Sequence, residues 1–168
     1  SLTLIALIGA CGGSTGFPPV VTGVKVQSLQ YGRTATIFIG GKDLRTSVTV
    51  DTSGACTDSS FATNSSTDTL VLNCKVAQTG DWPLVLKSAE GNVIHTSTLN
   101  VPQPEVTFLT SAGNITMELN PAVAPITVNN FLSYVNTGYY RSTLFHRVIP
   151  NFVVQGGGYT TGMLKRTA

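Results

Sequence analysis

Leu144-Phe145-His146-Arg147-Val148-Ile149-Pro150-Asn151-Phe152-Val153-Val154-Gln155-Gly156-Gly157-Gly158 is the stretch on which the fold of this chain turns. Two runs rich in apolar and β-branched residues flank Pro150-Asn151, a turn signal, and a glycine run stops the second of them. The pattern predicts a β-hairpin. Arg147 sits among apolar neighbours on the first strand, and Gln155 ends the second. Strand positions beside a core seldom carry such groups. Read as residues alone, they fit a cation on a solvated strand face and a glutamine at a strand end.

The wording of the stretch adds a second reading. Phe145-His146-Arg147-Val148-Ile149-Pro150-Asn151-Phe152, followed by Gln155-Gly156-Gly157, resembles the signature of the cyclophilins, barrel-shaped peptidyl-prolyl cis-trans isomerases. The resemblance extends upstream through Gly113-Asn114-Ile115, Pro125, Asn130-Phe131 and Gly138-Tyr139-Tyr140, and so covers about residues 106–165.

The 168 residues allow one or two domains, and 42% hydrophobic against 11% charged residues is a globular composition. A net charge of +2 argues neither for nucleic acid nor for an acidic partner. The sequence is rich in Thr, Ser, Val and Gly, and one helical period stands out, so the fold class is mostly β.

Residues 2–10 form a short apolar run ending in small residues, the pattern of a secretory signal and too short to span a bilayer. Ile8-Gly9-Ala10-Cys11 resembles a bacterial lipoprotein signal, which implies lipidation at Cys11. Gly12 to Pro19 reads as a flexible tether. The other reading of this run is a buried first strand with an incidental cysteine. The anchor reading implies a chain held on the periplasmic side of a bacterial cell envelope by lipid alone. The start at Ser1 without a charged leader fits a chain clipped at its front.

From residue 20 to 102, short alternating segments recur between turn signals. Ala35, Ile37 and Ile39 form one face, and Leu70, Leu72 and Cys74 form another. Strands at this spacing, without a helical period, predict a small antiparallel β-sandwich. The run Ala35 to Leu44, followed by Val48, resembles the opening of an immunoglobulin-like domain of the TIG type. Cys56 and Cys74 remain once Cys11 is assigned to the anchor. In an oxidising compartment they are expected to pair, tying a polar loop over residues 57–68 to a strand; two buried free thiols are the other possibility. His95 and His146 are isolated, so no metal site is expected. This domain offers no catalytic group and reads as a spacer or binding module.

Pro102-Gln103-Pro104 reads as an extended linker. Beyond it a hairpin is expected across Ser111-Ala112-Gly113, then a helix. Pro125 suits the first helical turn, and Val128, Phe131, Leu132 and Val135 form one apolar stripe. Gly138 supplies a left-handed cap. In cyclophilins such a helix plugs one end of the barrel.

The chemistry implied by the resemblance is rotation about an X–Pro bond, over a barrier of roughly 18–20 kcal/mol. Uncatalysed exchange takes tens to hundreds of seconds. No covalent bond to substrate and no cofactor is required; a site need only favour the twisted amide over the planar one. The twisted nitrogen has a free lone pair, and a guanidinium holds its donors in a fixed fork. By resemblance that role falls to Arg147, with Phe152 as the apolar floor under the proline ring and Gln155 holding the substrate backbone. Val153 and His146 are implied at the substrate pocket, His146 as a supporting residue and not a base. Val153 stands where the family often has Met, which implies a shallower wall. Strict alternation puts Phe152 and Gln155 on opposite faces, so their convergence demands a bend or bulge.

The expected organisation is a signal, anchor and tether over 1–19, an immunoglobulin-like sandwich over 20–102, and the opening part of a cyclophilin-like barrel over 103–168. The strands that close that barrel are absent from these residues, which points to a piece of a longer protein, inactive by itself. The partners implied are proline-containing polypeptides. Two other readings are an envelope-anchored adhesion or peptide-binding protein without enzymatic activity, and a holdase that binds prolyl peptides without turnover.

Overall fold

The computed structural model describes residues 17–44 and 48–167. Cys11 and the signal-like run lie outside the described residues.

The first seven strands form two antiparallel sheets. One has the order β1 (Val20–Gln27), β2 (Thr34–Lys42), β5 (Thr69–Val76), β4 (Cys56–Phe61). The other has the order β3 (Thr49–Asp51), β6 (Gly80–Lys87), β7 (Val93–Val101). Lettered along the chain, these orders are those of the constant-type immunoglobulin sandwich. Alternation drives the packing. Ala35, Ile37 and Ile39 of β2 are fully buried, whereas Thr36 and Phe38 between them are half-exposed. Leu84 and Leu86 answer them from β6, and Leu70, Leu72, Leu99 and Val101 complete one core. Each such side chain contributes about 1.5–3 kcal/mol on burial.

Cys56 and Cys74 are disulfide-bonded, with Cα atoms 5.4 Å apart. The bond joins neighbouring strands of one sheet, not the two sheets. The segment after Cys56 departs from the expected loop: as far as Phe61 it is strand β4, paired with β5. Its run of Thr, Asp and Ser conceals the strand because β4 is an edge, solvated along its middle. Between Thr57 and Ser60 the ladder is irregular, and Asp58 there is left-handed, with φ 51°.

Only Pro102, Gln103 and Pro104 separate β7 from β8 (Glu105–Thr110). β8 pairs with β9 (Gly113–Glu118). Helix α1 (Pro125–Asn136) opens with its proline in the first turn, and Gly138 beyond its end has φ 72°. Val128 is buried from the predicted stripe, and Phe131, Leu132 and Val135 pack beside it against Val106 and Leu119. β10 (Thr143–Ile149), β11 (Val153–Thr160) and β12 (Leu164–Lys165) form a separate three-stranded sheet. The described strands do not close into a barrel: the β8–β9 pair and the β10–β12 sheet are not hydrogen-bonded to each other. Large apolar side chains stand in solvent along this open module, among them Leu109, Ile126, Val148 and Phe152.

Candidate active site

The site is built on the hairpin β10–β11. Its turn is fixed locally: Phe152 N–H donates to the Ile149 carbonyl at 3.1 Å, and Asn151 takes the left-handed conformation, with φ 59°. Proline at the second position and a left-handed asparagine at the third are the requirements of a type II turn. Phe152 therefore lies in the turn and not in the strand. Alternation along β11 does not govern where its ring points.

The ladder is irregular at two places, between Thr143 and Phe145 and between Phe145 and Arg147. Phe145 stands opposite Gly156, and Arg147 opposite Gln155, so one residue of β10, His146, has no counterpart. This is a β-bulge, one extra residue on one strand. Beyond it the register is regular, Val148 with Val154 and Ile149 with Val153. Arg147 and Gln155 are thus direct cross-strand partners on one face, and Ile149 and Val153 follow them on that face by period two.

Side chains close the arrangement. Arg147 Nη1 donates to Gln155 Oε1 at a long 3.5 Å. The guanidinium carbon lies 5.8 Å from the centre of the Phe152 ring, within cation–π range. Arg147, Gln155 and Phe152 are exposed, Phe152 to 75%, and Val153 is half-buried. Among the described residues Arg147 forms no salt bridge. Of its five N–H donors one reaches Gln155, so the charge is not neutralised and most of the fork is free for a ligand. The Gln155 amide keeps its own N–H donors.

His146 belongs to different surroundings. Its ring meets Tyr159 edge-on, with centroids 4.7 Å apart, and its Nδ1 is buried without a hydrogen-bond partner. The bulge thus separates His146 from its strand neighbour Arg147: one ring packs sideways on β11, while the guanidinium lies over the turn.

The glycines after Gln155 have a steric cause that sequence alone did not assign. A Cβ on Gly156 would lie 2.8 Å from Phe145 Cδ1, and one on Gly157 would lie 2.8 Å from Tyr140 Cε1. Gly157 also has φ 87°. β11 therefore slides under two aromatic rings. Those rings continue into a cluster: Tyr140 meets Phe131 of α1 at 5.4 Å, and Phe108 of β8 meets both Phe131 and Phe145. Burial pushes the Tyr140 phenol above its ordinary pKa, and the neighbouring Tyr139 and Tyr134 push it the same way. Gly138-Tyr139-Tyr140 marked this position in the sequence, but only as part of a resemblance.

Residues 105–168 match the family model of the cyclophilin type peptidyl-prolyl cis-trans isomerases. The chain is 52% identical over 61 residues to "Peptidyl-prolyl cis-trans isomerase A" of Dickeya dadantii, covering 36% of this chain and 32% of that protein. It is 57% identical over 58 residues to "Peptidyl-prolyl cis-trans isomerase cyp18" of Streptomyces antibioticus, covering 34% and 35%. With "Peptidyl-prolyl cis-trans isomerase B" of Escherichia coli it shares 48% over 61 residues, covering 36% and 37%. The chain spans about a third of the length of these curated relatives. No solved structure matches it.

Proposed function

We propose that the protein is a peptidyl-prolyl cis-trans isomerase, and that the β10–β11 hairpin supplies the arginine side of its pocket. The observation that carries this reading is the direct pairing of Arg147 with Gln155, beside the exposed Phe152 ring. In this reading Phe152 receives the proline ring, and Val153 adds a low wall. Gln155 holds the substrate carbonyl through its amide N–H. The unneutralised fork of Arg147 donates to the proline nitrogen as the amide twists. No proton leaves the enzyme, so His146 acts by packing. Donors fixed where charge or a lone pair develops are a main source of rate enhancement in such sites.

The remaining walls of the pocket come, in this proposal, from the portion of the family's length that these residues do not span. The uncovered apolar side chains Leu109, Val148 and Phe152 support that part of the reading. The substrates are proline-containing polypeptides on the periplasmic side of a bacterial envelope, with the protein held there by lipid on Cys11. The short apolar run before Cys11 supports the anchor.

A protease-coupled prolyl-peptide assay on the intact protein tests the activity. Turnover that disappears in Arg147→Ala while peptide binding weakens only modestly supports it. Peptide binding without any acceleration of exchange, in the unmodified protein, identifies a holdase instead. The anchor has its own test: the mass of the protein from membranes reveals a lipidated Cys11 or an unmodified one.

A further inference from the structure

Tyr31 lies in the turn between β1 and β2 of the sandwich, where a tyrosine is ordinarily solvated, yet it is only 9% exposed. Its buried neighbours are Val106, Leu119 and Val128, one from β8, one just past β9 and one from α1. It is not part of the sandwich core. A side chain of the first module therefore completes the core of the second. We infer that the β1–β2 turn is a seat for the isomerase-like module, so that the two modules tumble as one body and the sandwich fixes the direction in which Arg147 faces.

The turn is built to present that ring rigidly. Gly32 N–H donates to the Val76 carbonyl at 2.9 Å, Val76 N–H returns a bond to the Arg33 carbonyl at 2.9 Å, and Arg33 N–H closes on Gln30 at 3.1 Å. A second contact lies beside the ring. Arg33 Nη2 donates to Asn136 Oδ1 at 3.1 Å, which puts a cation at the C-terminal end of α1, where the helix dipole favours it. The covalent link is equally short. Three residues join β7 to β8, two of them proline, and the Pro104 carbonyl accepts Leu119 N–H at 2.8 Å, so the linker is stitched to the end of the hairpin. Modules joined in one chain move independently unless their interface is substantial and apolar. Here the shared contact is narrow but apolar, Tyr31 with Val106, Leu119, Val128 and Leu132, and it is reinforced by the Arg33–Asn136 bond and the three-residue linker. The inference stands apart from the proposed activity, since it concerns orientation and stability alone.

Backbone ¹⁵N relaxation on the intact protein tests it. One rotational correlation time shared by residues of both modules is the expected result. Tyr31→Ala should divide it into two shorter times and lower the melting of the β8–β11 module while the sandwich melts as before. Tyr31→Phe should behave as the unmodified protein, since the hydroxyl makes no hydrogen bond among the described residues. Two unequal times in the unmodified protein overturn the inference, as does a Tyr31→Ala protein with one time and unchanged melting. Should Tyr31→Ala fail to fold, the unmodified protein decides through its correlation times, with Arg33→Ala as the milder perturbation of the same contact.

Discussion

Arg147 and Gln155 stand opposite one another on β10 and β11 because His146 is spliced out of the ladder as a bulge. Without the bulge, the register that pairs Phe145 with Gly156 would set Val154 against Arg147. Position in the ladder, more than the 3.5 Å bond between them, makes the two side chains a unit. A bond of that length to an exposed partner orients the guanidinium without neutralising it.

Replacing Arg147 separates charge from geometry. Arg147→Lys keeps a positive charge but loses the planar fork. In the intact protein kcat/KM should fall about 10²–10³-fold for Arg147→Lys, the range seen when one fixed donor is removed from a preorganised site. Arg147→Ala should fall at least as far. The loss should appear in kcat more than in KM, because in the proposed mechanism the bond in question forms only as the amide twists. Equal turnover for the Lys variant and the unmodified protein would assign the role to charge alone.

The passage of β11 under aromatic rings makes Gly157 irreplaceable for two independent reasons. Its backbone is left-handed at φ 87°, and an added Cβ would meet Tyr140 Cε1 at 2.8 Å. Gly157→Ala should destabilise the β8–β11 module by about 1–3 kcal/mol, read from its melting. Pairing it with Tyr140→Ala isolates the clash. The double variant should be less unstable than the sum of the two single ones, since the strain from φ persists while the contact with the ring vanishes.

Much of this fold was legible in the sequence, and the exceptions share one cause. The alternation of Ala35, Ile37 and Ile39, the helical stripe from Val128 to Val135 and the Pro150-Asn151 turn each follow from local period and turn chemistry. β4 reads as loop in the sequence because an edge strand need not alternate: Thr57, Asp58, Ser59 and Ser60 are polar and all face water. At the site, the residue types came from the resemblance, and alternation argued against their meeting. In the structure Phe152 lies in the turn, outside the alternation, and the bulge at His146 sets Arg147 opposite Gln155. The bulge is a property of register, which depends on two strands at once and has no signature in either alone. The burial of Tyr31 was illegible for a similar reason, since its partners lie more than seventy residues away in sequence.

Alkaline pH should weaken the aromatic cluster through Tyr140. Its phenol is raised above the ordinary value, chiefly by burial and then by Tyr139 and Tyr134, so the folded state prefers it protonated. In the unfolded chain it ionises at about pH 10. The stabilisation is therefore complete below about pH 10 and is lost as pH rises through the higher folded value. Titration by phenolate absorbance should show a late step that Tyr140→Phe removes, and the variant's melting should fall less than the unmodified protein's as pH rises above about 10. A Tyr140→Phe protein with an unchanged late step would assign that step to another tyrosine.

Reduction of the disulfide should act first on the sandwich. Cys56 and Cys74 are separated by 18 residues in sequence, and the bond between them confines β4 to the edge of β5. For a closed loop near that size the chain-entropy model gives about 3 kcal/mol. The cross-link joins neighbours that are already hydrogen-bonded, so the fold can survive its loss with lower stability. Melting of the intact protein under reducing conditions, or of Cys56→Ala/Cys74→Ala, should show the sandwich transition shifted down. Tyr31 makes a further demand on that result. Its turn is anchored to the Val76 carbonyl, two residues beyond Cys74, so loosening β5 should also lower the melting of the module seated on Tyr31. A shift confined to the sandwich would mean that the turn keeps its shape without the cross-link.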